Sequence, residues 1–414
     1  MFGSHFTTSD GIDVSVNYPG VHNTDSGPDF SGARVKFDGE EWAGNIEIHV
    51  KASDWYRHGH DRDVSYDSVI LHVVGVDDRS VDRTDGSPIP QICVYPSPDF
   101  YNRYASLVTD MDLPGCLPYM FDIPELNRTD WISSLGMERL HGKADYIRDI
   151  LNGCNGDWQH TLFVAIARGL GFGLNGVPFE LLAKSLPLNF VMRHRDNPLQ
   201  IEALVFGQAG MLIPDEYPYD DYYTLLCREY EFLRHKYGLT PIDPSLWKYS
   251  RTRPQNFPHR RLAILASMLA SGMQLSTRLI EADGNYEKIV DLFQFEASEY
   301  WRKHPKFGMA ESRLPLAVTL SSSSIDILII NVAAPFYYAY GSITGNLELA
   351  ERAQDLLCNI KPERNSVIGV WSNTLLKPTS AFESQALLHL RRDYCQRSRC
   401  LDCRFGHLIL RKAL

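Results

Sequence analysis

The chain has 414 residues, 44% of them hydrophobic and 22% charged, and a net charge of −10. That is ample material for two or three globular domains, and it excludes a generally basic nucleic-acid coat, though not a local basic groove. No run approaches the ~18 uninterrupted apolar residues of a membrane span, and Met1–Gly20 lacks a basic segment followed by an apolar stretch. No membrane association is expected, and the expected location is cytoplasmic.

The first hundred residues read as strands. Ala33–Phe37 is short and alternating, and Asp38-Gly39 follows as a hairpin signal. Asn45–Lys51 alternates strictly, with Ile46, Ile48 and Val50 on one face and Glu47, His49 and Lys51 on the other. Asp54–Ser68 holds a short helix or a long loop. Val69–Val76 is nearly all apolar, as a strand buried on both faces would be. Gln91–Tyr95 reads as a further strand.

From about Asp130 the periodicity becomes helical. Trp131–Leu151 has the spacing of a long helix, with Thr129 or Asp130 as its N-cap. Helical stretches follow at Trp158–Leu170, Ile201–Gly207, Tyr222–Tyr237, Arg260–Ser271, Asn285–Phe295, Ser324–Gly341, Leu347–Leu357 and Ser380–Arg392. The fold class is therefore α+β: a small N-terminal mixed sheet domain (1–125), a large mainly helical region (126–394) and a cysteine-bearing basic tail (395–414).

Asn23–His72 is unusually rich in chemistry-bearing side chains. Gly27-Pro28-Asp29 forms a turn that can hold a carboxylate rigidly before a strand. Asp29 and Glu47 could bind Mg²⁺ or Mn²⁺, which needs one or two carboxylates plus waters. His49 or Lys51 would then sit beside the metal and assist a water or a phosphate. Zn²⁺ or Fe²⁺ would instead favour His49, His58 and His60 with a carboxylate. An ordinary half-exposed sheet shows the same alternation, so the cluster competes with a solvated face.

Cys395, Cys400 and Cys403 form a C-x4-C-x2-C pattern. A Zn²⁺ ion or an iron–sulfur cluster needs a fourth ligand, for which His407 and the distant Cys116 are the candidates. Arg251, Arg253, Arg260 and Arg261 surround Pro254–Pro258 just before a helix, where they could bind phosphate or simply pack. Phe206-Gly-Gln-Ala-Gly210 follows a helical stretch and lacks the strand context of a nucleotide-binding loop.

Two resemblances add to this reading. Asn23–Phe30, Trp42–His49, Ser53–Trp55, His58–His60 and Val69–Val74 are similar to an uncharacterised bacterial protein family. The likeness continues through Glu202-Ala203, Phe206–Gly210, Arg253–Pro258 and the cysteine-bearing end, so it covers the whole chain and implies no activity. The second is partial. Pro28-Asp29 followed by Glu47 on the next strand resembles the PD-(D/E)XK nucleases, which implies a nuclease-like sheet, Mg²⁺ at the two carboxylates and a nucleic-acid partner. His49 occupies the position of the lysine, and Lys51 lies two residues on. Some members of that superfamily carry an iron–sulfur staple, which would suit the four cysteines. The expectation is a metal-dependent nuclease or related hydrolase; the alternatives are a histidine-ligated zinc or iron enzyme and a non-enzymatic helical binding scaffold.

Overall fold

The protein is described by a computed structural model covering residues 5–109, 113–213, 220–250, 252, 254–272 and 274–411. The chain is α+β, and it divides into two compact units, the first comprising the residues up to Ala105 together with those from Leu410 on, and the second spanning Ser106–Ile409.

The first unit is built on one mixed sheet. Its strands are β1 (His5–Thr7), β2 (Asp13–Tyr18), β3 (Val21–His22), β4 (Phe30–Phe37), β5 (Glu40–Lys51), β6 (Val69–Val76) and β7 (Gln91–Cys93). The order across the sheet is β1-β2-β4-β5-β6-β7, with β3 paired to β4 off this path. β4 and β5 form a hairpin across Asp38-Gly39, where both residues have positive φ (46° and 90°), as a two-residue type I′ turn demands. β6 runs parallel to β5 and β7 parallel to β6. The β5–β6 crossover contains a single helical turn, α1 (Asp54–Arg57), and two short 3₁₀ turns at His60–Arg62 and Val64–Tyr66.

Ordinary amphipathic logic fails on β5. Ile46 is buried, but Ile48 and Val50 are 46% and 75% exposed. Glu47 and His49 are instead the residues turned inward, at 5% and 9%. The crossover covers the sheet face that carries them, with Trp55 fully buried and Tyr66 nearly so. β6 is buried through Val74 except for a partly exposed Val73, and it includes a fully buried His72.

The second unit is helical. Glu125–Gly153 forms one long helix with Pro124 at its N-cap, more than a turn earlier than an Asp130 cap would place its start. Trp158–Leu170 is capped by Asp157, whose carboxylate accepts from the N–H groups of Gln159 and His160. Asn197 and Asp220 cap the next long helices in the same way, and Gly238 ends the second of these in the left-handed conformation. Phe206–Gly210 proves to be a packing device: a side chain at Gly207 would strike the Tyr230 ring, and the Trp247 indole donates to the Ala209 carbonyl at 2.8 Å. Ser322–Thr344 is long and apolar enough to cross a membrane, and 61% of its most apolar window is buried inside the fold. It contains a π turn at Ile329–Ala333, and a second π turn at Leu390–Tyr394 continues the helix Ala381–His389.

Candidate metal centre in the sheet unit

Strand register puts the first two groups side by side, since Glu47 on β5 pairs with His72 on β6. Two residues on, His49 projects from the same face of β5. The crossover supplies two more imidazoles. Gly59 adopts a left-handed φ of 78° between His58 and His60, and this reversal aims both rings back at the strand. His60 is held by stacking on Tyr66, with ring centroids 3.7 Å apart.

The donor atoms converge. Nε2 of His49 lies 3.1 Å from Nδ1 of His58. Oε1 of Glu47 lies 3.6 Å from His49 Nε2 and 3.5 Å from His60 Nε2. A tetrahedral ion with metal–nitrogen bonds of about 2.0–2.1 Å spaces its ligand atoms roughly 3.3–3.4 Å apart. Three of the six edges of such a tetrahedron are therefore present within a few tenths of an ångström. His49, His58 and His60 are also the one group of three or more ligating side chains, among the described residues, whose donor atoms all lie within 4.8 Å of one another.

A hydrogen-bond chain fixes which nitrogen of His49 faces the others. The Gln91 side-chain nitrogen donates to Asp77 Oδ1 at 2.5 Å and to the Arg79 carbonyl at 3.3 Å, which orients its amide. Gln91 Oε1 can then only accept, so the 2.9 Å contact assigns the proton to His72 Nδ1. His72 Nε2 is left as the acceptor for Nδ1–H of His49, also at 2.9 Å. This leaves the lone pair of His49 Nε2 directed into the cluster. Such outer contacts fix tautomer and ring orientation in metal-binding histidines.

Electrostatics favour the ligand forms of the imidazoles. Burial, with the other histidines around it, pushes His49 down to about 4. Burial also lowers His60 and His72. Glu47 is pushed up to about 7, first by burial and then by the charge of Asp29, against a lowering hydrogen bond from the Asp29 N–H. That bond is 2.9 Å long, and Asp29 Oδ2 in turn accepts from the Ile48 N–H at 3.0 Å. Asp29 and Glu47 are thus laced together across the β4–β5 hairpin. Lys51 is exposed at the end of the strand, its backbone N–H donating to Asp54 Oδ2 at 3.3 Å.

The sulfur ligands also gather, within the second unit. Cys116, Cys395, Cys400 and Cys403 line one small cavity, and all four are free thiols. Burial raises Cys116 and Cys395, the latter to about 12, and the neighbouring cysteines raise both further. His407 is exposed and does not line this cavity.

The arginine loop is placed differently from its expected role. Arg251 and Arg253 lie outside the described residues. Arg260 and Arg261 are buried, at 3% and 8%. Arg260 donates to the carbonyls of Trp301 and Ala317, and Arg261 stacks on Phe172 and donates to Asn256 at 2.9 Å. A Pro-led helix start carries them inward, where core carbonyls meet the terminal nitrogens of Arg260, side chains meet those of Arg261, and the Nε of each is buried without a hydrogen-bond partner. Sequence reading missed a cavity of about 770 Å³ lined by Arg139, Lys143, Arg168 and Arg392, bordered by both π turns. Burial, with Arg139 beside it, pushes Lys143 down to about 7. The available signal was the four-residue spacing of Arg139 and Lys143 on one helix face.

With fold and site in hand, comparison with known proteins gives the family: over residues 1–366 the chain matches the family described as Protein of unknown function (DUF2851), and it belongs to that family. No curated protein and no solved structure matches it.

Proposed function

We propose that the sheet unit binds one divalent transition-metal ion through Glu47, His49, His58 and His60, and that the protein is a metal-dependent hydrolase acting on phosphodiesters. The observation that carries this reading is the Asp77–Gln91–His72–His49 chain, which spends two buried imidazoles and a buried amide on aiming one lone pair. The His49 Nε2 lone pair at its end faces His58 Nδ1 at 3.1 Å, close to the spacing of two ligands on one tetrahedral ion. The nitrogen-rich donor set suits Mn²⁺, Zn²⁺ or Fe²⁺ better than Mg²⁺.

A bound ion supplies Lewis acidity and a water whose pKa falls toward neutrality. The chain's residues do the rest. Asp29, bound to the neighbouring strand and adjacent to Glu47, holds a second carboxylate at the site and can accept a proton from an attacking water. Trp55 and Tyr66 close the far side against solvent. The β4–β5 hairpin with a parallel β6 supports a nuclease-type arrangement, in which Asp29 and Glu47 stand as the two carboxylates and His49 replaces the lysine.

The test is cleavage of single- and double-stranded DNA and RNA with Mn²⁺, comparing wild type with E47Q. Metal-dependent cleavage lost in E47Q supports the reading; cleavage that E47Q leaves unchanged removes these residues from the chemistry.

A further inference from the structure

The two ends of the helical unit meet at the four cysteines. Cys116 sits in the turn before a 3₁₀ segment, Leu117–Asp122, while Cys395, Cys400 and Cys403 come from the chain's far end. Nothing in local sequence brings Cys116 to this place; it is a tertiary convergence of four reduced sulfurs. Their surroundings are shaped for sulfur ligands. At Gly406 a Cβ would lie 2.0 Å from the Cys400 carbonyl, so only glycine lets the backbone close over the site. Burial raises the Cys403 thiol, and the N–H groups of Gly406 and Phe405, directed at its sulfur, pull it only partly back. The indole N–H of Trp131, buried without a conventional hydrogen-bond partner, acts on the same sulfur. Arg391 lines the cavity and favours thiolate at Cys395.

We propose that these four thiolates hold an iron–sulfur cluster that ties the Cys116 segment to the C-terminal segment. Two observations favour a cluster over a single zinc ion. Sulfurs around tetrahedral zinc lie roughly 3.8 Å apart, given Zn–S bonds of about 2.3 Å. No three of these sulfurs lie within 4.8 Å of one another. A cluster spreads its thiolates over several irons and accommodates that wider spacing. The C-x4-C-x2-C run is also that of plant-type two-iron ferredoxins, although their remote cysteine follows the run where Cys116 precedes it, and it differs from the paired C-x2-C knuckles of structural zinc sites.

The experiment is anaerobic purification of the full chain, with iron, zinc and acid-labile sulfide measured per chain alongside the visible spectrum. The wild type is expected to be brown, with iron and sulfide in equal amounts. C116S and C403S are expected to lose both, while C358S, at an exposed cysteine outside the cavity, keeps them. If the serine variants fail to fold, wild type stripped by chelator and reconstituted with ferrous iron and sulfide provides the readout, and recovery of the chromophore supports the proposal. One zinc per chain without sulfide overturns it, as does wild type that neither carries nor takes up iron and sulfide, or a well-folded C116S with an undiminished spectrum.

Discussion

The two clusters of potential ligands are built in opposite ways. In the sheet unit, nitrogen and oxygen donors come from a stretch shorter than fifty residues, Asp29 to His72, and strand register does most of the positioning. In the helical unit, sulfur donors come from opposite ends, and only the tertiary fold unites them. The first arrangement can exist in an empty protein, because neutral imidazoles tolerate burial beside one another and hydrogen-bond among themselves. The second brings together four thiols, one buried and three half-buried, around one small cavity. The difference teaches that a locally built site is a property of the unit that carries it, whereas a closure site is itself part of what holds its unit closed.

That contrast gives ordered expectations. The largest effect belongs to the closure site. C116S should lower the unfolding midpoint of the helical unit by roughly 5–10 °C, as a loss of a few kcal/mol does in a unit of this size. Calorimetry that finds an unchanged midpoint for C116S would dissolve the contrast.

Next comes E47Q, which should weaken Mn²⁺ binding by about 100-fold or more, beyond the 10–100-fold typical of an outer-contact change. It should also stabilise the empty protein. Glu47's folded pKa, about 7, lies above its ordinary value of 4.5. Its favourable contribution is therefore complete below pH 4.5 and is lost as pH rises through about 7. At pH 8 the neutral glutamine escapes that loss, for a gain of up to a few kcal/mol. Denaturant titrations of metal-free E47Q and wild type at pH 8 check this; equal stability would mean the buried carboxylate is not strained.

Q91L tests the relay. It leaves all four proposed ligands in place, so a 10–100-fold weakening of Mn²⁺ affinity is expected from loss of orientation alone. Leaving the buried His72 nitrogen unpaired should also cost about 1–3 kcal/mol of stability. Unaltered affinity in a folded Q91L would mean that the His49 lone pair needs no aiming.

The smallest effect is on pH dependence. In the helical unit, His259 is pushed down to about 3 by burial, with Lys306 adding to the effect. The unfolded chain protonates it below about 6.5 while the folded chain does not, so it makes stability fall as pH drops from 6.5 toward 3, at up to about 1.4 kcal/mol per pH unit. In the sheet unit, burial lowers His49, His60 and His72 alike, and Glu47, which takes up a proton over an overlapping range, offsets only part of their effect. Both units should therefore lose stability between pH 6.5 and 5, and H259Q should flatten the slope of the helical unit alone. A slope that H259Q leaves unaltered would contradict the assignment.

Much of the sheet unit was legible in its sequence, because period-two alternation and the Asp38-Gly39 turn have one geometric meaning. The direction of β5 was not. Ile48 and Val50 look like a core face, and only the crossover, folding its histidines onto Glu47 and His49, reverses inside and outside. His72 could be singled out as a polar residue in an apolar strand, yet its partner Gln91 carried no signal, because a parallel β7 cannot be inferred from three residues. The long helices were readable from apolar spacing. Their fine structure was not, since a proline cap moved one start to Glu125 and π turns interrupt two others. The buried Arg260 and Arg261 looked like surface charge because nothing local announces the carbonyls of Trp301 and Ala317. Cys116 stood out only by its chemistry; its meeting with the C-terminal cysteines is a long-range fact.

The most direct test of the metal centre is a calorimetric titration of Mn²⁺, an ion that thiolates hold poorly, into wild type and H49A at pH 7.5. The account predicts one site per chain in wild type, with proton release as Glu47 ionises, and no measurable site in a folded H49A. Binding of the same stoichiometry and affinity in both, or none in wild type, would contradict it.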